Sequence, residues 1–230
     1  MKITNILLLI FIITFVIISA NTLYQREIDK NPEFKKQLET LDFGGLIKDD
    51  IPSTKFFSFL GNQDAPVTLI SYLDIGSEET KNFIEGIMPQ IKEEFINSGK
   101  INYYQKYYIT NKDVETRNSR FIFTKTLFCV SMLDQKNYYN ISFDLMKTKE
   151  INHQKYNLSK DKLNSCIQNN NFDQINQDML EMKRLNIIGV KQKLFLVSEG
   201  LPNQKMEGIP AYTPFRRMII QKLFSAGEAI

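Results

Sequence analysis

Apolar positions along this chain alternate between two spacings. Val67–Leu73 is a short run of β-branched, aromatic and aliphatic residues behind the turn cluster Gly61-Asn62-Gln63-Asp64, which predicts a buried strand. From residue 78 to 95 the spacing becomes helical, with Phe83, Ile84, Ile87, Ile91 and Phe95 on one stripe and Pro89 expected to kink it. Asn97-Ser98-Gly99-Lys100 ends that helix, and residues 101–109 read as a second strand rich in tyrosine, expected to pack in the core. Helical patterns follow at 121–133, 138–146, 159–168 and 172–185, the third opened by Ser159 with Asp161 in its first turn. Strand pattern returns at Lys193–Val197 and again at 205–207, across a turn through Gly200, Pro202 and Asn203. Gly208 and Pro210 then lead into a last helix at 214–224.

The first twenty residues follow neither spacing. Lys2 is the only charge before Arg26, Ile6 to Ile18 is apolar apart from Thr14, and Ser19-Ala20 supplies small residues. This is the pattern of a secretory signal peptide over residues 1–20. An uncleaved anchor is the competing reading, because the uncharged stretch from Ile3 to Gln25 is long enough to span a bilayer. Residues 21–55 are polar, broken by Pro32, Gly44-Gly45 and Pro52, and read as a tether. A single domain is expected over 56–226.

Charge narrows the choice of partners. Removing the leader takes away only Lys2 from 29 Lys and Arg, set against 26 Asp and Glu, so the exported chain is close to neutral. No basic excess remains to neutralise phosphates, which excludes nucleic acid, and contact with a membrane is expected only through residues 1–20. His153 is the sole histidine and stands in a polar stretch, so neither a metal site nor a cofactor is expected. Cys129 and Cys166 are the only cysteines. In an exported chain an even count suggests a disulfide, with two free buried thiols as the alternative.

The order of elements is β–α–β, a helical block, then β–β–α: a thioredoxin-like α/β fold with an inserted helical domain at about 112–187. The residues agree. The run from Gly61 to Thr68, Gly-Asn-Gln-Asp-Ala-Pro-Val-Thr, resembles the entry to the first central strand in DsbA-like thiol–disulfide oxidoreductases. Ser71-Tyr72-Leu73-Asp74 stands where that family shows Glu-Phe-Ser-Asp. Phe128-Cys129-Val130 and Leu163-Asn164-Ser165-Cys166-Ile167 resemble its inserted helices, and Gly189-Val190 and Glu207-Gly208-Ile209-Pro210-Ala211-Tyr212 its last strands and final turn. The resemblance covers about residues 56–226. It implies a periplasmic or other extracytoplasmic location, and it sets Cys129 and Cys166 where some relatives carry a second disulfide in the insert.

The reactive positions of the family are not kept. Counting from Asp74, its Cys-x-x-Cys falls on Ser77-Glu78-Glu79-Thr80; counting from Gly189-Val190, its Thr-cis-Pro falls on Lys193-Leu194. An oxidoreductase sets its first thiol at a helix N-terminus, where unpaired N–H groups and the dipole stabilise a thiolate. Here that place has a serine fit to cap the helix, followed by two glutamates that use the same positive potential. A hydroxyl has no two-electron redox chemistry. Activation of a bound thiol by Ser77 is opposed by those glutamates, and hydrolysis lacks both a nearby histidine and a Gly-x-Ser-x-Gly turn. The expectation is a redox-inactive DsbA-like protein that binds polypeptides or an envelope partner. The enzymatic alternative is disulfide formation or isomerisation through Cys129 and Cys166.

Overall fold

The computed structural model describes residues 45–46, 52–53, 59–170, 172–187 and 192–228. All of them belong to one compact unit, Asp42–Ile230. The leader expected at 1–20 and most of the tether expected at 21–55 lie outside the described residues. Among the described residues, no helix is long and apolar enough to cross a membrane.

One mixed sheet forms the centre. Its strands are β1 (Gly45–Leu46), β2 (Phe59–Gly61), β3 (Val67–Leu73), β4 (Ile101–Tyr107), β5 (Lys193–Val197) and β6 (Asn203–Glu207), in the spatial order β1-β6-β5-β3-β4-β2. β3 and β4 run parallel, as a β–α–β crossover requires, and every other neighbouring pair is antiparallel. β3 and β4 are almost wholly buried, which is why neither shows a strict polar–apolar alternation. β1 comes from the stretch expected to be only a tether: Gly45 and Leu46 pair with Gln204 and Asn203 on the sheet edge.

The crossover from β3 to β4 is helix α1, residues 78–96. It alternates α-helical pieces, Glu78–Asn82 and Met88–Ile91, with π-turns, Phe83–Ile87 and Lys92–Ile96. Pro89 accounts for the first π-turn. It has no N–H to give to the fourth residue back, and its ring would strike that carbonyl, so the turn ahead of it widens. The Met88 N–H therefore reaches back five residues to the Phe83 carbonyl. The extra residue moves the buried stripe, so that Met88 enters the core beside Phe83, Ile84, Ile91 and Phe95 while Ile87 is only half-buried.

Between β4 and β5 lie α2 (Asn111–Thr116), α3 (Ser119–Leu133), α4 (Tyr138–Thr148), α5 (Lys160–Asn169) and α6 (Asp173–Arg184). α2 has too few apolar residues to register as a periodic pattern. It is held by a capping box in which the Thr110 hydroxyl accepts from the Asp113 N–H at 3.2 Å and the Asp113 carboxylate accepts from the Thr110 N–H at 2.8 Å. Ser159 caps α5 by accepting from the Lys162 N–H at 3.3 Å. After β6 the chain ends in α7 (Tyr212–Ser225).

The insert and the sheet meet through aromatic and charged groups. Tyr103, Tyr104 and Tyr107 of β4 are buried, and the Tyr139 hydroxyl of α4 donates to the Tyr103 carbonyl at 2.7 Å. Lys106, only 1 % exposed, points toward α6, where its ammonium pairs with Glu181 and lies 3.6 Å from Asp178. Glu181 also accepts from the Tyr72 hydroxyl and, at 2.6 Å, from the Ser53 N–H. Burial pushes the Asp178 carboxyl up to about 7, with Lys106 opposing the rise.

Candidate functional site

The end of β3 delivers the chain to the start of α1 through a tight turn. Gly76 has φ +98, a left-handed conformation that a side chain would resist, and it lets Ser77 face back onto the helix. The Ser77 N–H donates to the Asp74 carbonyl at 3.2 Å, and the Ser77 hydroxyl accepts from the Thr80 N–H at 3.0 Å as an N-cap. Glu78 and Glu79 fill the first turn. Thr80 points inward and is buried.

A third side chain joins these two hydroxyls. Gln192, fully buried immediately ahead of β5, donates its amide N–H groups to Ser77 Oγ and, at 2.8 Å, to Thr80 Oγ1. Counting along the sequence assigns the place opposite Ser77 and Thr80 to Lys193 and Leu194. The structure puts both inside β5 instead: Leu194 is buried across from Ser71 and Met206, and the Lys193 ammonium pairs with Glu207. The side chain that meets the helix start comes from Gln192, one residue ahead of the strand. Gly189-Val190, the starting point of that count, lies outside the described residues.

The hydrogen bonds limit what Ser77 can do. A hydroxyl has two lone pairs and one proton. Both lone pairs of Ser77 Oγ are engaged, by the Thr80 N–H and by Gln192, so only its proton remains to offer a ligand. An oxygen in that state has no free pair with which to attack a carbonyl or to take a proton from a thiol. The Gln192 Oε1 atom is buried without a hydrogen-bond partner.

Two further polar groups flank this network. Asp74, at the end of β3, is buried and paired with Arg120 at 2.7 Å, which ties the first turn of α3 to the site; burial pushes its carboxyl up while Arg120 pulls it down. Ser71, standing where the resemblance places a glutamate, is also buried, and its hydroxyl shares a 2.7 Å hydrogen bond with that of Tyr103.

A groove of about 480 Å³ opens beside Ser77, between α1 and α4. Ile84, Phe143 and Met146 give it an apolar floor, with Gly76 and Ser77 at one end. Its rim is charged but nearly balanced: Lys81 lies 3.6 Å from Glu78, Lys147 3.8 Å from Glu85, and Asp144 2.5 Å from Lys155.

Cys129 of α3 and Cys166 of α5 are joined in a disulfide with a Cα–Cα distance of 5.9 Å, and Cys129 is fully buried. They belong to the insert, and neither lines the groove beside Ser77. No group of three or more His, Cys, Asp or Glu placed to hold a metal ion occurs among the described residues.

Residues 53–190, more than half of the chain, match the family model described as thioredoxin. This chain belongs to the thioredoxin family. No curated protein sequence matches it significantly. Among solved structures, its fold is similar to α-DsbA1 of Wolbachia pipientis, with 19 % identity and a TM-score of 0.61 over 78 % of this chain and 98 % of that one. It is also similar to oxidised BdbD of Bacillus subtilis, with 16 % identity and a TM-score of 0.62 over 75 % and 96 %. DsbA2 of Pseudomonas aeruginosa follows, with 16 % identity and a TM-score of 0.56 over 74 % and 95 %. This thioredoxin-family protein therefore has the DsbA-like fold, a thioredoxin core with a helical insert. Its Ser77, Thr80 and Gln192 make a set of hydroxyl and amide hydrogen bonds at the N-terminus of α1.

Proposed function

We propose that this thioredoxin-family protein works outside the cytoplasm as a polypeptide-binding protein and does not itself exchange disulfides. The observation that carries the proposal is the Ser77–Thr80–Gln192 network: two hydroxyls and an amide, with both Ser77 lone pairs engaged, at the head of a groove with an apolar floor. The floor of Ile84, Phe143 and Met146 suits apolar side chains of an unfolded polypeptide or an envelope partner, and methionine adapts to varied shapes. The Ser77 proton is positioned to donate to a backbone carbonyl. Export is supported by the charge and apolar pattern of residues 1–20 and by the Cys129–Cys166 disulfide, a bond of oxidising compartments. Exchange through Cys129 and Cys166 is disfavoured by the complete burial of Cys129 and by the absence of a Cys-x-x-Cys turn.

The test uses the full chain beside a Cys129→Ser, Cys166→Ser double variant and a Phe143→Glu variant. Insulin reduction and oxidative refolding of a scrambled substrate are expected to be absent from all three. Binding of a reduced, alkylated and unfolded polypeptide is expected in the wild type and in the double variant, and to be lost in Phe143→Glu. Catalysis that disappears in the double variant would overturn the proposal, as would polypeptide binding indifferent to Phe143→Glu.

A further inference from the structure

A second groove, of about 500 Å³, lies on the insert where α2, α3, α5 and the start of α6 meet. Its walls are partly apolar, from Phe121 and Ile122 of α3, Ile167 of α5 and Phe172 ahead of α6, with the side-chain amides of Gln168 and Asn170 beside them. Ile122 is 55 % exposed, so this face has no cover among the described residues. The charged groups that line it are both cations, Arg117 and Lys125; no carboxylate does.

Both cations lack an acid partner beside this apolar cleft. Neither Arg117 nor Lys125 is paired with a carboxylate among the described residues. Lys125 rests on aromatic faces instead, its ammonium 4.2 Å from the Phe172 ring centre and 5.3 Å from that of Phe121. Partial burial and the neighbouring Arg117 charge push the Lys125 ammonium below its ordinary value. Two like charges held beside an apolar cleft cost free energy that a bound anion would recover.

Backbone conformation marks the same place. Arg117 has φ 48 and Phe172 has φ 55, so two of the five described non-glycine residues in the left-handed region line this one groove. α6 begins behind Phe172 with no side-chain cap, which leaves positive potential from its first N–H groups near the groove; Asp173, in that first turn, offsets part of it.

We propose that this groove binds an organic carboxylate with an apolar body. The carboxylate lies between Arg117, whose planar fork suits it, and Lys125; the body packs on Phe121, Ile122 and Ile167. A bare phosphate would use the two cations but leave the apolar side of the groove uncovered. The volume falls within the range of small-molecule sites, roughly 300–1,000 Å³. This site is separate from the groove beside Ser77 and does not depend on its function.

Phenylbutyrate is a suitable probe, titrated calorimetrically against the full chain, with phenylbutanol as its uncharged counterpart and inorganic phosphate as a competitor. Two variants remove the charges gently. Arg117→Gly suits the left-handed backbone, and Lys125→Met keeps an unbranched stem against the two rings. Binding of phenylbutyrate, weakened about tenfold or more in each variant, with no binding of phenylbutanol and no displacement by phosphate at equal concentration, is the expected result. No binding of phenylbutyrate by the wild type would overturn the proposal. So would equal binding of phenylbutanol, equal affinity in both variants, or displacement by phosphate at equal concentration, which would mark a site for bare anions. Thermal unfolding of each variant separates loss of the site from loss of the fold.

Discussion

The side-chain amide of Gln192 donates to the hydroxyl of Thr80 at 2.8 Å, across 112 positions of sequence. This bond joins the loop before β5 to the first turn of α1. Replacing Gln192 with Leu would keep its approximate size and remove the donor that both hydroxyls share. A buried polar group that loses its partner costs about 1–3 kcal/mol. The same substitution also removes Oε1, an acceptor already without a partner, so the expected loss lies near the low end, at about 1 kcal/mol. Urea unfolding of the two proteins measures it.

Restoring thiols at the helix start would not restore a reactive thiolate. In a Ser77→Cys, Thr80→Cys variant, Glu78 and Glu79 still occupy the first turn and oppose negative charge beside it. The thiol introduced in place of the Ser77 hydroxyl is expected to titrate at or above the ordinary thiol value of about 8.5, read from thiolate absorbance against pH. Insulin reduction by this variant is expected to stay at background.

The disulfide of the insert acts on stability. It closes a loop with a sequence separation of 37 between α3 and α5. Replacing both cysteines with serine is expected to cost about 3–4 kcal/mol in chemical unfolding. Polypeptide binding beside Ser77 is expected to survive wherever the variant remains folded.

Stability should depend on pH near neutrality through Asp178. Its folded-state value is raised, to about 7, so the folded protein holds a proton there that the unfolded chain has already released. Its contribution is fully present below the ordinary aspartate value near 4 and is lost as pH rises through about 7. Stability is therefore expected to fall between about pH 4 and 7, by up to about 1.4 kcal/mol per pH unit for one proton. Asp74, whose carboxyl is also raised, acts in the same direction. Asp178→Asn should flatten most of this slope in unfolding curves collected across the range.

Much of the frame is readable in the order of patterns. Val67–Leu73 and Lys193–Val197 are strands with those bounds, since buried β-branched and aromatic runs leave few alternatives. α2 escapes because its stability comes from the Thr110–Asp113 capping box, a two-residue signal without hydrophobic period. β1 escapes because two residues are too few to show alternation. Ser77 and Thr80 follow from counting on from Asp74, over a short turn that tolerates no slack. The place opposite them is missed by one position or more, because that count runs through a loop. Gln192 stands one residue ahead of the strand at Lys193–Val197, and only packing of the strand's start against α1 shows that it meets both hydroxyls. No pattern in the sequence announces Arg117 and Lys125 as neighbours of Phe172, since only packing of α3 against the start of α6 brings them together.

Among the described residues, the outer strands of the sheet are short, β1 with two residues and β2 with three. A protein that captures unfolded chains runs the hazard of being extended by them, one strand after another, into a fibre. Edges this short give an incoming backbone few hydrogen bonds and so little reason to stay. Under the proposed polypeptide-binding role, a captured chain would be recognised by its side chains in the groove, and its capture would stay reversible.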